Sequence, residues 1–335
     1  MAVQIVNFSP AYHESHREFA IKSFGNRRKR VNPDYIYWKF RGIPDNELET
    51  FLLAIDDDKV IGRTGAIPST IVIENAEYQC YWICDLMVDP EYRKKGIADM
   101  LYRAILEKGL VLGSDPSPAA YKSMVRYGFQ ELRGPYKAFF PLNLGNLLSK
   151  KDKGIPKFFH HLPNPAIVLP SLLSLFVRKS FKALIATEEI NSAYQFNPET
   201  VLPYIKHDLK YLNWRMNGFA GYQPPGYWFE FKEKTWINSN GSRQRLILSD
   251  LFGQDLVFKV LLFANLVHFG YKNGYSEIDF KTWDKVLLRF LRCMGFVKYK
   301  TDTVILYRSN DDNLNKILAG KGFFYYTSLD SDENI

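Results

Sequence analysis

Tyr81-Trp82-Ile83-Cys84-Asp85-Leu86-Met87-Val88-Asp89-Pro90-Glu91-Tyr92-Arg93-Lys94-Lys95-Gly96-Ile97-Ala98-Asp99-Met100-Leu101 reads as an apolar strand, a proline turn, a small basic loop with one glycine, and a helix start. That order builds an anion cradle. The first N–H groups of a helix lack intrahelical partners, and the helix dipole adds partial positive charge where they converge. Arg93, Lys94 and Lys95 add full charges, and a pyrophosphate is the natural occupant. Outward from the cradle, Ile97, Met100, Leu101, Ala104 and Ile105 keep a helical period until Gly109 stops it. A short buried strand follows at 110–113. Ser114-Asp115-Pro116-Ser117-Pro118 supplies caps and prolines for a helix over 118–127, closed by Gly128-Phe129. The loop is not a Walker loop, because no Gly-Lys-Ser/Thr follows, and its single glycine excludes a Rossmann fingerprint.

The spacing Arg93-x-x-Gly96-x-Ala98, following Leu86-x-Val88-x-Pro90, resembles the coenzyme A motif of the GNAT (GCN5-related) N-acyltransferase superfamily. The order strand, loop, helix, strand, helix, Gly-Phe is that of the family's acyl-CoA core. The resemblance implies an acyl-CoA co-substrate. Arg93, Lys94, Lys95, Gly96, Ile97, Ala98 and Asp99 would hold its pyrophosphate. Leu86, Met87 and Val88 would line the pantetheine arm, and a backbone N–H among them would face the thioester carbonyl. Asp85, beside that point, is the candidate base or amine anchor. The family places a tyrosine, as acid for the leaving thiolate, four residues before Gly-Phe. Here that position is Met124, and Tyr121 is the substitute candidate.

The rest of the first half fits the same unit. Strands are expected at 3–8, 50–55, from 60, at 70–73 and 78–88, helices at 11–24 and 34–41, and Lys137–Pro141 is expected to close the sheet. The second half then repeats the first. Tyr35-Ile36-x-Trp38-Lys39-x-x-Gly42 recurs as Tyr211-Leu212-x-Trp214-Arg215-x-x-Gly218. Cys84-Asp85-Leu86-Met87 recurs as Ser249-Asp250-Leu251-Phe252, and Gly128-Phe129 as Gly295-Phe296, at near-constant separation. In the second copy Gly253-Gln254-Asp255-Leu256 runs straight into a helix with no basic residue. The expectation is therefore an α+β protein of two tandem GNAT folds, each a mixed, mostly antiparallel sheet flanked by helices, the second degenerate. Residues 1–145 form the acyl-CoA-binding domain, and 146–185 a connector with a docking or lid helix. Residues 186–330 form a degenerate domain that helps build the acceptor site. In the segment Tyr222–Trp228, Tyr227 and Trp228 are candidates to stack a base or sugar.

Composition narrows the partners. The net charge of +8 comes with mixed signs, and Arg27-Arg28-Lys29-Arg30 is the only dense basic run. This favours anionic metabolites over nucleic acid. Cys80 and Cys84 on one strand stand roughly 13 Å apart, too far for a disulfide, and no histidine or cysteine spacing suggests a metal. The run from Ala166 to Val177 is too short to span a bilayer. A membrane-surface role for it is disfavoured, because its own charges form no broad basic face. No signal-peptide pattern opens the chain, and a reduced cytoplasm is the expected compartment. The resemblance implies N-acylation of a primary amine by direct transfer, and a weaker likeness to enzymes of the anthrose pathway suggests a nucleotide-linked amino sugar as acceptor. Two alternatives remain. One is an aminoacyl transferase of the peptidoglycan-bridge type, and the other is an acyl-CoA-binding protein without catalysis.

Overall fold

The computed structural model describes residues 3–25, 28–143, 145, 162–185, 202–219, 226–232, 235–239, 245–253, 255–299 and 302–330. Arg27, the lysine run at 150–153, His160, His161, Tyr222–Pro225 and Gln254 lie outside the described residues.

The first half runs β1 (Gln4–Phe8), α1 (His13–Phe24), α2 (Arg28–Val31), α3 (Pro33–Lys39), β2 (Leu48–Asp56), β3 (Lys59–Ile73), β4 (Ala76–Val88), α4 (Ile97–Leu106), β5 (Leu110–Ser114), α5 (Pro118–Arg126), β6 (Gln130–Arg133) and β7 (Tyr136–Pro141). The local causes are visible in the chain. Asp57 and Asp58, then Glu74 and Asn75, all take positive φ. Two such central residues make the tight hairpin turns that suit the twist of antiparallel strands. Asn32 caps α3 and Ser117 caps α5, each just before a proline at the first helical position.

The second half continues with α6 (Val168–Val177), β8 (Phe181–Ile185), β9 (Tyr204–Ile205), α7 (Leu209–Asn217), β10 (Tyr227–Phe231), β11 (Thr235–Ser239) and β12 (Arg245–Phe252). Then come α8 (Leu256–Lys272), β13 (Glu277–Thr282), α9 (Lys285–Cys293), β14 (Val297–Lys298), β15 (Val304–Arg308) and α10 (Asp312–Lys321). One sheet is ordered β1-β2-β3-β4-β5-β15-β6, with β9 on the end of β3, and the other β14-β7-β13-β12-β11-β10-β8. Among the described strands, only β4–β5 and β12–β13 form parallel ladders.

These orders correct one expectation. Lys137–Pro141 does not close the first sheet. Its strand β7 pairs with β13 and β14 of the second, from Glu277↔Pro141 to Thr282↔Tyr136. In return β15 enters the first sheet between β5 and β6. The two halves thus exchange their last strands. Gly134 and Pro135 make the crossing, and a Cβ on Gly134 would meet the Thr303 carbonyl oxygen at 2.7 Å, so the two crossing strands pass too closely for any side chain.

Core packing joins the halves as well. One hydrophobic core combines Phe51, Ile67 and Trp82 of the first half with Tyr211, Leu212 and Trp228 of the second. The repeated segments meet each other there: Trp214 Nε1 donates to the Trp38 carbonyl at 2.8 Å, with the two indoles 5.9 Å apart. A second core lies between β12–β13 and α8–α9, and a third between the first sheet and α4–α5.

Candidate active site

The site starts from a fault in a strand. Between β3 and β4 the register runs Gly65↔Cys84 and then Arg63↔Met87, so Asp85 and Leu86 together oppose Thr64. This is a β-bulge, which bends the strand and leaves one residue out of the ladder. Asp85 carries it with φ 56°, a left-handed conformation that aspartate tolerates better than most residues. On its other edge β4 pairs with β5 only from Cys80↔Leu110 to Trp82↔Leu112. Beyond that point the two strands part. A cleft of about 560 Å³ opens in the gap, walled by Ile83–Val88, by Ala98 and Tyr102 of α4, by Gly113–Ser117, and by Ala119, Ala120, Ser123 and Met124 of α5.

At one end of the cleft lies the cradle. Lys94 and Gly96 both have positive φ, 63° and 80°, so the loop turns its amides to one side before α4. Gly96 is the N-cap of α4 and no side chain caps the helix, which leaves the first-turn N–H groups facing outward. A methyl at Gly96 would meet no atom within 4 Å, so the space above the loop is open. Arg93 lines the cleft, with Nε 3.3 Å from the Val88 carbonyl, and Lys94 and Lys95 are exposed. These features fit a pyrophosphate: unclaimed backbone donors, full positive charge and room. Leu86, Met87 and Val88 line the next stretch of the cleft. Ile97 is buried beneath the loop, and Asp99 faces Arg126 at 3.8 Å.

The second copy retains the bulge and loses the cradle. Register between β11 and β12 jumps from Ile237↔Leu251 to Ser239↔Leu248, so a residue is again inserted beside Asp250. Ahead of α8, however, Asp255 takes the free N–H groups itself, accepting from Val257 and Phe258. A carboxylate already sits where an anion would bind.

Asp85 sits inside a cluster of cations drawn from distant parts of the chain. Lys39 Nζ lies 2.9 Å from one carboxylate oxygen and Arg30 Nη2 3.2 Å from the other. Arg63, buried and donating to His16 Nε2 at 2.7 Å, adds a third positive charge. Burial alone pushes the Asp85 carboxyl up. Lys39, Arg63 and Arg30 together outweigh it and hold the group well below the ordinary carboxylate range. So low a proton affinity makes it a weak general base. His16 offers no replacement, since burial and Arg63 keep it neutral and its Nε2 engaged.

The other sequence candidates separate. Tyr121 is not among the residues lining the cleft. Its hydroxyl donates to Glu131 at 2.8 Å, and that bond raises its pKa. Met124 lines the cleft instead, lying across Gly113, where a Cβ would come within 2.6 Å of its terminal methyl. The cleft has its own phenol: Tyr102, whose pKa burial raises and whose hydroxyl meets Ser123. Tyr227 and Trp228 do not form a stacking wall. Successive strand residues face opposite sides, so Trp228 is 3% exposed in the core shared by the halves, and Tyr227 packs on Phe229 and Phe269 in the second core. Arg30, Lys39, Arg63 and Tyr102 were not read from the sequence as site residues. The one signal for Lys39 was its place in the repeated Trp-Lys/Trp-Arg segment. Among the described residues no group of three or more His, Cys, Asp or Glu could hold a metal ion.

Comparison with known proteins gives matches in sequence and in fold. Residues 8–109 match the family model described as an acetyltransferase (GNAT) domain. Over 148 residues the chain is 24% identical to an Amsacta moorei entomopoxvirus protein named "Putative glycylpeptide N-tetradecanoyltransferase", a match covering 44% of this chain and 48% of that one. The matched region thus spans about half the length of this curated relative. Among solved structures, a GCN5-related N-acetyltransferase from Kribbella flavida superposes with TM-score 0.57 at 12% identity, over 95% of this chain and 73% of that chain. Saccharomyces cerevisiae N-myristoyltransferase with bound myristoyl-CoA superposes with TM-score 0.52 at 12% identity, over 97% and 89%. The fold is the one these structures share: two mixed sheets flanked by helices, with both halves of the chain taking part.

Proposed function

We propose that the protein transfers an acyl group from acyl-CoA to a primary amine. One observation carries this reading: a single cleft joins the uncapped basic start of α4 to the bulge where β4 leaves β5. The Arg93–Asp99 loop would anchor the donor's pyrophosphate, and Leu86–Val88 would guide its arm toward Asp85. A backbone N–H at the bulge would stabilise the oxyanion that forms when the neutral amine attacks the thioester carbonyl, a contact worth about 3 kcal/mol. Collapse of the tetrahedral intermediate expels the thiolate, and the amine's proton leaves to water. Tyr102, a phenol that lines the cleft, would donate to the departing sulfur. Asp85 acts in this scheme by pairing with buried Lys39 and holding Arg30 at the cleft, not by taking a proton.

For the acceptor we favour a nucleotide-linked amino sugar, because Arg30, which lines the cleft beside Asp85 and away from the donor loop, would suit a phosphorylated molecule entering there. The likeness to a protein named as a glycylpeptide acyltransferase supports a second acceptor, the N-terminal amine of a peptide. Single-turnover transfer from radiolabelled acetyl-CoA and longer acyl-CoAs to a panel of sugar nucleotides and glycine-terminated peptides tests both. Label in an amide product of one class selects that acceptor. Tight acyl-CoA binding with no label in any amine would leave a binding protein and contradict the catalytic reading.

A further inference from the structure

Helix α6 presents an anomaly that the acyl-transfer reading does not use. Its ten residues, Val-Leu-Pro-Ser-Leu-Leu-Ser-Leu-Phe-Val, contain no charge. At 100° per residue the helix divides into two faces. Pro170, Leu173, Ser174 and Val177 turn inward, where Leu173 and Val177 pack on the second core. Val168, Leu169, Leu172, Leu175 and Phe176 fall within one stripe about 120° wide, and every one of them is exposed, Phe176 by 87%. Soluble surfaces scatter large apolar side chains singly, so a contiguous row of five marks a contact face.

Cations bracket the stripe at both ends. Arg178 and Lys179 follow its last turn and are exposed. At the other end Val168, Leu169 and Leu172 share a groove with Arg292, Cys293 and Met294 at the end of α9, and no carboxylate lines that groove. Arg292 is exposed. Read from α6 alone the charges make no basic face, and the sequence therefore disfavoured a membrane role. The fold supplies the missing cation from a segment more than a hundred residues away. No helix of the described residues is long and apolar enough to cross a membrane. The geometry needed to lie in its surface is different: one apolar stripe flanked by basic residues.

We propose that α6 docks the protein on an anionic lipid bilayer. Leu169, Leu172, Leu175 and Phe176 enter the boundary between headgroups and acyl chains, and Arg178, Lys179 and Arg292 meet lipid phosphates. A bilayer suits this face better than a protein partner. The stripe carries no hydrogen-bonding side chain, whereas protein interfaces surround their apolar centre with a polar rim and ordered bonds. The chain's net charge of +8 adds to attraction toward an anionic surface.

Flotation of the full chain with phosphatidylcholine vesicles, with and without phosphatidylserine, tests this. Binding is expected with phosphatidylserine and should weaken as salt is raised. The double variant Leu172→Glu/Phe176→Glu should lose about tenfold or more of that binding at unchanged melting temperature, since both side chains are exposed. Phe176→Trp should show a blue-shifted emission on vesicles. Failure of the wild type to float with either vesicle would overturn the proposal, as would undiminished binding by the double variant. A wild-type dimer in light scattering that the double variant abolishes, with no vesicle binding, would instead assign the stripe to a second copy of the chain.

Discussion

At the scale of single residues Asp85 organises the end of the cleft, paired with Lys39 and Arg30. A carboxylate facing three cations is structural as much as chemical. Asp85→Asn would leave Lys39, Arg63 and Arg30 without their shared partner, and breaking a buried pair from one side costs about 3 kcal/mol. The melting temperature should fall clearly, and chemical denaturation should show the loss. The pH dependence has a definite sign. The folded pKa is depressed, so the stabilisation is present above the unfolded value of about 3.9 and is lost as pH falls through the folded one. Between pH 5 and 8 Asp85 should give no inflection in kcat/KM. An inflection near pH 6 that disappears in Asp85→Asn would return it to the role of base. Tyr121→Phe should leave kcat within about twofold, because its hydroxyl serves Glu131. The sequence pointed to Asp85 only through the family resemblance, as the carboxylate beside the expected thioester; the bulge it occupies appeared in the fold. Its partners at 30, 39 and 63 come together only when α2, α3 and β3 assemble, so no local pattern carried them.

Elements show why the two copies diverged. Strand, bulge and helix survive in both, but α4 begins at a bare glycine and α8 at a capping aspartate. Gly96→Ala should cost stability through the positive φ alone, about 1 kcal/mol, and leave coenzyme A binding largely intact. Gly96→Glu adds a negative charge to the same backbone position and should abolish binding. Equal losses in the two variants would show that loop shape, not charge, governs affinity. Helices and hairpins were legible because caps, prolines and paired turn residues mark their ends in the chain. Trp228 was not, since Tyr227-Trp228-Phe229 is apolar on both faces and gives no inward–outward signal. In the second copy the loss of the cradle accompanies a buried lock. His207 lies 2.7 Å from Asp250 and 2.5 Å from Asp330. Burial would lower the His207 pKa, yet the two carboxylates raise it to about 10. A raised folded pKa stabilises fully below the unfolded value of 6.5 and fades as pH climbs toward 10. Stability should therefore decline across that window, and His207→Ala should be less stable at pH 7 with a flatter decline. A wild-type stability curve flat from pH 7 to 10 would contradict the lock.

Across the whole molecule the exchange of β7 and β15 makes one cooperative body of two repeats. A fragment ending at 145 keeps the cradle yet lacks β15, which pairs with both β5 and β6, and exposes a β7 whose partners lie beyond residue 276. Expressed alone it should fail to give dispersed amide spectra, and the full chain should unfold in one transition. A soluble, folded fragment that binds coenzyme A would count against the coupling. The exchange was invisible in the sequence because β7 has the same length, position and pattern whether it closes its own sheet or the next. Only long-range pairing decides that, and the repeat looks identical either way.

Asymmetry within this body implies one donor site, at the bulge and cradle of the first half. Isothermal titration of the full chain with coenzyme A measures it directly. One molecule per chain is expected, with binding lost in Gly96→Glu at unchanged melting cooperativity. Two molecules per chain, or a single site untouched by Gly96→Glu, would contradict it.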